Sequence, residues 1–193
     1  MHHIYHTEGL ILGSKNYKEA DKYYYIFTKD LGMVYATAQG VRKMSSRLRY
    51  ILQDFSYVKI DLVEGRDLWR VTSASKTNKF EKIPKDRSKL QIFYKISKLL
   101  KKLLAGVEKN EILFNDILNG LSILENTTSE EDLPNLEIIM VLRFLNDLGY
   151  IGGDEMLQNL IKSPFEESLI FEVARSKSKV LSQINKALKE THL

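Results

Sequence analysis

The chain has 193 residues, of which 44% are hydrophobic, so it is long enough to bury a core and to form one domain or two small ones. It contains no cysteine, which excludes a disulfide framework and a thiolate metal site. The N-terminus, MHHIYHTEG, lacks the long apolar run of a signal peptide, and nowhere do about 18 apolar residues follow one another. We therefore expect a soluble, cytoplasmic protein with no membrane partner.

The net charge of +4 is distributed unevenly along the chain. Residues 1–110 and 176–193 carry an excess of Lys and Arg, whereas residues 111–175 are strongly acidic. Because clustered positive charge attracts polyanions, we expect the first half of the chain to bind one.

The first 75 or so residues contain five short runs that are rich in β-branched and aromatic residues. The runs are HIYHTEGLILG, KYYYIFTK, MVYATAQG, FSYVKIDLV and DLWRVTS. In the fourth run Val58, Ile60 and Leu62 alternate with other residues, which is typical of a strand with one buried face. Turns are predicted at residues 29–32 and 64–67. Five short strands favour a small barrel, because an open sheet would expose its edges.

After Pro84 the apolar residues recur with a helical period. Asp86 is a predicted N-cap and Gly106 lies near the end of the first helix. Further helices are predicted at NEILFNDILNGLSILEN, LPNLEIIMVLRFLNDLGY, DEMLQNLIK and SKSKVLSQINKALKETHL. Pro134 suits the first turn of its helix, and Gly149 suits a C-terminal cap. The sequence thus predicts an α+β protein of two domains, with a β-barrel in residues 1–80 and an all-helical domain in residues 81–193.

Two stretches carry a resemblance to a known family. TEGLILGSKNYKEADKYYYIFTKDLGMVYATAQGVRKMSSRL and LQDFSYVKIDLVEGRDL are similar to the N-terminal domain of the RecO family of bacterial recombinational-repair proteins. Farther along, LEIIMVLRFLNDLGYI resembles the helix that ends in Leu-Gly-Tyr in that family. No single element is specific, but their order and spacing are hard to obtain by chance.

The resemblance implies a five-stranded OB-fold barrel followed by a helical domain. It also implies a mediator without catalytic activity that binds single- and double-stranded DNA and anneals complementary strands. By resemblance its partners are RecR and single-strand-binding protein, with RecA loaded downstream.

The chain departs from the family pattern at two places. Many members carry a zinc site of cysteines just after the Leu-Gly-Tyr helix, whereas residues 151–165 contain no cysteine here. We therefore expect a short member of the family with no zinc and no other cofactor. The segment ALKETHL resembles one that is followed in the family by a basic tail, whereas this chain stops at Leu193.

The stretch QGVRKMSSRLRYILQDF, residues 39–55, is the strongest candidate for DNA binding. It holds four cations and no acid before Asp54, and single strands require cations for phosphates and flat rings for bases. The predicted DNA-binding residues are Arg42, Lys43, Arg47, Arg49, Lys59, Arg70, Tyr50 and Tyr57. About half of the barrel aromatics are expected to be core instead. By strand alternation Tyr24 faces opposite to Tyr23 and Tyr25, so only one set lies outside.

Two further basic sets have alternative interpretations. Lys95, Lys98 and Lys102 form one stripe of a helix, which suits the solvated face of a bundle, a membrane or partner helix, or DNA that continues from the barrel. The resemblance implies that the helical domain receives the acidic, apolar-ended tail of single-strand-binding protein. Its positive candidates are Arg143, Lys162, Arg175, Lys177 and Lys179.

Catalytic sites find little support in the sequence. His2, His3 and His6 resemble a metal-ligand cluster, but a chain terminus positions ligands poorly. Glu19 and Asp21 lie in a turn, where carboxylates commonly accept backbone hydrogen bonds. We therefore predict a protein that is not an enzyme. The leading hypothesis is a DNA-binding mediator, the second is a protein-interaction scaffold of the repair machinery, and the third is a small hydrolase or nuclease.

Overall fold

The structure is a computed structural model of the chain, and it describes residues 3–104, 109–152 and 155–190. The chain divides into two compact units. The first consists of residues 1–85 and 93–111, and the second consists of residues 86–92 and 112–193. The predicted domain boundary near residue 80 stays a prediction.

Five strands in the described part of the first unit form a closed barrel in the order β1-β2-β3-β5-β4. The strands are β1 (Ile4–Tyr17), β2 (Asp21–Thr28), β3 (Gly32–Ala38), β4 (Tyr57–Val63) and β5 (Trp69–Lys76), and a single-turn helix α1 (Leu48–Ile51) lies between β3 and β4. Each strand coincides with one of the predicted runs. The predicted five-stranded OB-fold barrel is therefore confirmed, whereas α1 was not predicted.

The long strand β1 closes the barrel because it pairs with both β2 and β4. A register shift between Ile11 and Gly13 marks a β-bulge at the middle of the strand. Gly13 has φ 146°, a backbone conformation that glycine adopts without strain. Since a bulge bends and twists its strand, β1 can follow one neighbour with its first half and the other with its second half.

The barrel interior is filled by side chains that alternate with outward-facing ones along each strand. Val58, Ile60 and Leu62 are buried in this core, as the alternation in β4 predicted. Tyr24 of β2 is fully buried in the same core, whereas Tyr23 and Tyr25 are partly exposed. The outward-facing tyrosines of β2 are thus Tyr23 and Tyr25.

The only tryptophan of the sequence lies in the barrel wall. Trp69 packs edge-on against Tyr5 of β1, with 5.1 Å between the ring centroids. Both rings are partly buried against the barrel core. The pair therefore adds directional aromatic packing to the apolar area that the core removes from water.

The second unit is helical. The helices after the barrel are α2 (Arg87–Leu103), α3 (Glu111–Asn126), α4 (Leu133–Asp147), α5 (Glu155–Lys162) and α6 (Ser168–Glu190), of which α2 contributes residues to both units. These elements confirm the predicted all-helical second part. Helix α6 begins before the predicted segment, which starts at Ser176, because the buried Leu169, Ile170 and Val173 extend its apolar face toward the N-terminus.

The local signals at the helix ends act as predicted. Asp86 Oδ1 accepts hydrogen bonds from the amides of Ser88, at 2.9 Å, and Lys89, at 3.1 Å, so it caps α2. Pro134 lies in the first turn of α4. Gly149 follows α4 with φ 79°. Gly106 lies outside the described residues.

Arg143 of α4 is buried, with 7% of its surface exposed, and it is fully engaged inside the second unit. Its guanidinium donates to both carboxylate oxygens of Asp116 on α3, at 2.7 and 3.3 Å. It also donates to the carbonyl oxygens of Ser163, at 2.8 Å, and Leu160, at 3.4 Å. This corrects the prediction that Arg143 is available to an acidic peptide, because its charge and donors are used to join three elements.

Asp147, the last residue of α4, lies in an environment that disfavours its charged form. Burial, and to a lesser degree the negative charge of Asp116, raise the pKa of its carboxyl from 3.8 to about 6. One of its carboxylate oxygens is buried and finds no hydrogen-bond partner among the residues that the structure describes. The charged form is therefore disfavoured in the folded protein.

Replacing Arg143 by Ala is expected to lower the free energy of unfolding by about 3 kcal/mol, because it leaves the Asp116 carboxylate, only 18% exposed, without its partner. Urea denaturation followed by circular dichroism measures this. The control is R175A, which removes an exposed arginine of α6 and should leave the transition within experimental error of the wild type. A shift for R143A as small as the control's would contradict the structural role.

Asp147 is expected to make the stability of the protein depend on pH. Its folded-state pKa exceeds the unfolded value, so between about pH 4 and 6 the folded state binds a proton that the unfolded state has released, and stability falls as pH rises. The free energy of unfolding of D147N, relative to that of the wild type, should therefore increase across this window. The gain should reach about 1 kcal/mol above pH 6 after allowance for partial exposure. Denaturation at a series of pH values measures the difference. The exposed E167Q should show no such gain, and a constant difference for D147N would contradict the assignment.

Candidate nucleic-acid interface

The basic stretch, residues 39–55, is a loop that the barrel core holds in place. Val41 and Leu52 near its two ends are each 1% exposed and belong to the core. Leu48 and Ile51 of α1 pack partly against the same core. Because apolar and basic residues alternate along the loop, its apolar side chains attach it to the barrel core and its charged side chains face solvent.

Hydrogen bonds fasten the start of the loop to the β1–β2 turn. The Arg42 amide donates to the carbonyl oxygen of Ala20 at 2.9 Å, and its guanidinium donates to that of Glu19 at 2.8 Å. Asp21 Oδ1 accepts a hydrogen bond from the Gly40 amide at 2.7 Å. The Asp21 carboxylate thus accepts a backbone hydrogen bond, although Asp21 is the first residue of β2 and the turn ends before it.

Beside this loop lies a groove of about 690 Å³ that we call the basic groove. Its lining includes four cations, Lys22, Arg42, Arg49 and Lys76, together with Tyr24, Tyr50 and Gln53. Tyr50 is 60% exposed, whereas the Tyr24 ring is buried and forms the floor. The basic groove therefore combines positive charge with one freely accessible aromatic ring.

Among the described residues, acids near the loop in sequence form no direct ion pair with the basic groove, although Lys22 Nζ donates to Ser14 Oγ at 3.1 Å and is linked through that hydroxyl to Asp54. Asp54 accepts a hydrogen bond from Ser14 at 2.6 Å, and Asp61 lies 2.7 Å from His6 Nδ1. None of the ion pairs among the described residues includes a cation of the basic groove. The positive charge is thus available to an external anion.

The structure brings together only part of the predicted DNA-binding set. Arg42, Arg49 and Tyr50 line the basic groove, and Lys43 and Arg47 are exposed on the same loop. Lys59 is exposed on β4, opposite Glu8 of β1 in the sheet register. Arg70 borders a separate pocket with Lys18, Glu64, Arg66 and Asp67.

Tyr57 does not offer its ring to a ligand. It is 3% exposed, and its hydroxyl donates a hydrogen bond to Glu8 Oε2 at 2.6 Å. Burial, followed by this hydrogen bond, raises the pKa of the phenol. Phe80 packs against the ring at a centroid distance of 5.8 Å. This corrects the prediction that Tyr57 binds DNA, because a segment after β5 covers a position that strand alternation assigned to the surface.

Lys76 was missed as a site residue, and Lys22 was counted among the cations of the barrel but not included in the predicted DNA-binding set. Lys22 lies near the start of β2 and Lys76 is the last residue of β5. They are distant in sequence from the basic loop and from each other, and only the strand order of the barrel brings them to one groove. Aside from positive charge, neither residue has a local sequence signal that could have identified it.

The other predicted sets are exposed, and their binding roles stay predictions. Lys95, Lys98 and Lys102 lie on the exposed face of α2. Lys162 of α5 and Arg175, Lys177 and Lys179 of α6 are also exposed. Among the residues that the structure describes, no helix is long and apolar enough to cross a membrane.

The residues present do not fit the zinc site that the family resemblance implies. The sequence has no cysteine, and the described ranges contain no group of three or more His, Asp or Glu side chains arranged to hold a metal. The amino-terminal histidines, predicted from the sequence to be poorly placed as metal ligands, make other contacts. His6 lies against Asp61, and the His3 ring packs against Tyr5, whereas His2 lies outside the described residues.

Comparisons with known proteins agree with this geometry. Residues 1–80 match the family model described as recombination protein O N terminal. Over 147 residues, or 76% of this chain, it is 27% identical to the DNA repair protein RecO of Clostridium novyi and 31% identical to that of Heliobacterium modesticaldum. The RecO of Rubrobacter xylanophilus is 30% identical over the same length. These matches cover 57%, 52% and 58% of the relatives, so the chain spans about half the length of the curated relatives it matches. A closed five-stranded barrel with a matching N-terminal family model, together with similarity that extends into the helices, shows that the chain belongs to the RecO family.

Proposed function

We propose that the protein acts in DNA repair as a DNA-binding recombination mediator that binds single- and double-stranded DNA and anneals complementary strands. The observation that carries this proposal is the basic groove, with four cations that have no carboxylate partner among the described residues. The curated relatives, which are named DNA repair protein RecO, support the repair role.

The chemistry of the basic groove suits the phosphate backbone. Lysine and arginine side chains that neutralise phosphates release condensed counterions, which gives affinity without reading sequence. A strand held by its phosphates keeps its base edges free, so a complementary strand can pair with it while both are bound. Binding by the backbone therefore accounts for annealing without a catalytic group.

The finer role rests on the family. By resemblance to that family, the protein works in the cytoplasm with RecR and single-strand-binding protein and assists the loading of RecA. The alternative is a protein-interaction scaffold of the repair machinery with little DNA binding of its own. A mobility-shift titration with labelled single strands at low and moderate salt separates the two, and nuclease activity would be visible in the same lanes.

Replacing Arg42, Lys43, Arg47 and Arg49 together by Gln is expected to weaken binding of both single strands and duplexes and to slow annealing. If all four contact phosphates of a single strand, the dependence of log K on log salt should become flatter by about 3. Fluorescence anisotropy at several salt concentrations measures this, and the melting temperature is recorded on the same preparation. Because Val41 and Leu52 are retained, the loop should keep its attachment to the core.

The matched control for this variant is K162Q/R175Q/K177Q/K186Q, which removes the same charge from exposed positions of the helical unit. It should bind DNA with nearly the wild-type salt dependence. An unchanged slope in a folded loop variant would remove the loop from the binding site. Equal losses in loop variant and control would show that net charge alone is responsible.

A peptide that carries several acids and ends in an apolar residue is expected to bind the helical unit weakly at low salt. With Arg143 buried, the cations available to it are Lys162, Arg175 and Lys177. Because residues 111–175 are acidic overall, moderate salt should abolish the binding. Isothermal titration calorimetry with wild type and with K162E/R175E/K177E measures this. Absence of heat with the wild type at low salt would contradict this partner.

A further inference from the structure

Three tyrosines form a cluster on the barrel that the basic groove does not include. Tyr23 and Tyr25 of β2 and Tyr35 of β3, here called the tyrosine patch, contact one another. Tyr23 and Tyr35 are stacked with 6.2 Å between centroids and 22° between planes. Tyr25 meets Tyr23 at 5.2 Å and Tyr35 at 5.8 Å, edge to face in both cases.

The sheet register places the tyrosine patch on the outer face of the barrel. Tyr25 is directly opposite Tyr35 in the β2–β3 ladder, and Tyr23 is opposite Lys15 of β1. Tyr24, between the two patch residues of β2, and Val34 and Ala36, on either side of Tyr35 in β3, fill the core. Since successive side chains alternate between faces, the three rings point away from the core, and all three are partly exposed.

Two lysines lie over the rings of the tyrosine patch. Lys15 Nζ is 4.6 Å from the Tyr23 centroid and 6.0 Å from that of Tyr25. Lys101 Nζ, from the part of α2 in the same unit, is 5.1 Å from the Tyr25 centroid. Neither lysine belongs to an ion pair among the described residues. The face therefore presents flat aromatic surface and positive charge together.

Cross-strand packing alone explains the contacts between the rings but not the two cations. A ligand that complements this face must be flat and apolar in one part and anionic in another. A single nucleic-acid strand has both properties, because each nucleotide joins a base to a phosphate. The cation–π contacts of Lys15 and Lys101 with these partly exposed rings are weak, so both side chains can leave the rings for phosphates when bases arrive.

We infer that the tyrosine patch stacks unpaired bases and gives the protein a single-strand affinity that duplex DNA does not receive. In a duplex the base faces are already stacked on each other, so only the backbone and the base edges are accessible. The basic groove thus binds any phosphate backbone, whereas the patch responds only to exposed bases. This inference rests on the proposed function and adds to it a source of discrimination between unpaired and paired strands.

The test uses two variants of the full chain. Y23L/Y25L/Y35L keeps apolar bulk but removes the flat rings, and Y23F/Y25F/Y35F keeps the rings. The probes are a labelled oligothymidine of about 16 nucleotides and a hairpin duplex of similar length. Anisotropy titrations at two salt concentrations give the affinities, and thermal melting checks the fold.

We expect the leucine variant to lose about tenfold or more in affinity for oligothymidine, with little change for the duplex. The phenylalanine variant should bind both probes as the wild type does. The single variant Y25L, which disturbs packing less, should show a smaller loss in the same direction.

Wild-type affinity for oligothymidine in a folded leucine variant, or in folded Y25L if the triple variant does not fold, would overturn the inference. Equal losses for both probes would also overturn it, because a packing role affects both alike. Failure of the proposed function is distinct: the wild type would then bind neither probe.

Discussion

Closure of the barrel by β1 is the constraint on which the rest of the first unit depends. One strand satisfies the backbone of both β2 and β4, and the bulge next to Gly13 lets it turn from one to the other. With the circle closed through the short parallel pairing of β3 and β5, each of the five strands has a neighbour on both sides. The same closure brings the start of β2 and the end of β5 beside the β3–β4 loop, so the basic groove is a product of strand order.

The basic loop shows how apolar side chains anchored in the barrel core can hold charged side chains in place at the surface. Four cations close together in sequence repel one another, and in an unanchored loop they would spread over many conformations. Val41 and Leu52 bury their side chains in the barrel, and the hydrogen bonds from Arg42 to the β1–β2 turn limit the loop further. Part of the entropic cost of ordering the binding residues is therefore met by folding, which leaves less to be met when a ligand binds.

Strands, barrel, most helix bounds and the helix caps could be predicted because each has a local signal: alternation in β4, Asp86 before α2, Gly149 after α4. The interface was predictable only where its residues are neighbours in sequence, as Arg42 and Arg49 are. Lys76 could not be assigned, because its position in the groove depends on strand order. Tyr57 and Arg143 were misassigned for a related reason. Strand alternation does not reveal that Phe80 covers Tyr57, and a count of charges does not reveal that Asp116 binds Arg143.

The edge-on pairing of Trp69 with Tyr5 has a practical consequence for studying the two units. Because the sequence has a single tryptophan and it lies in the barrel wall, indole fluorescence excited at the red edge reports on the barrel and not on the helices. Far-ultraviolet circular dichroism is dominated by the helices, which lie mostly in the other unit. Coincident transitions by the two signals would mean that the units unfold as one cooperative system, and separate transitions would give each unit its own stability.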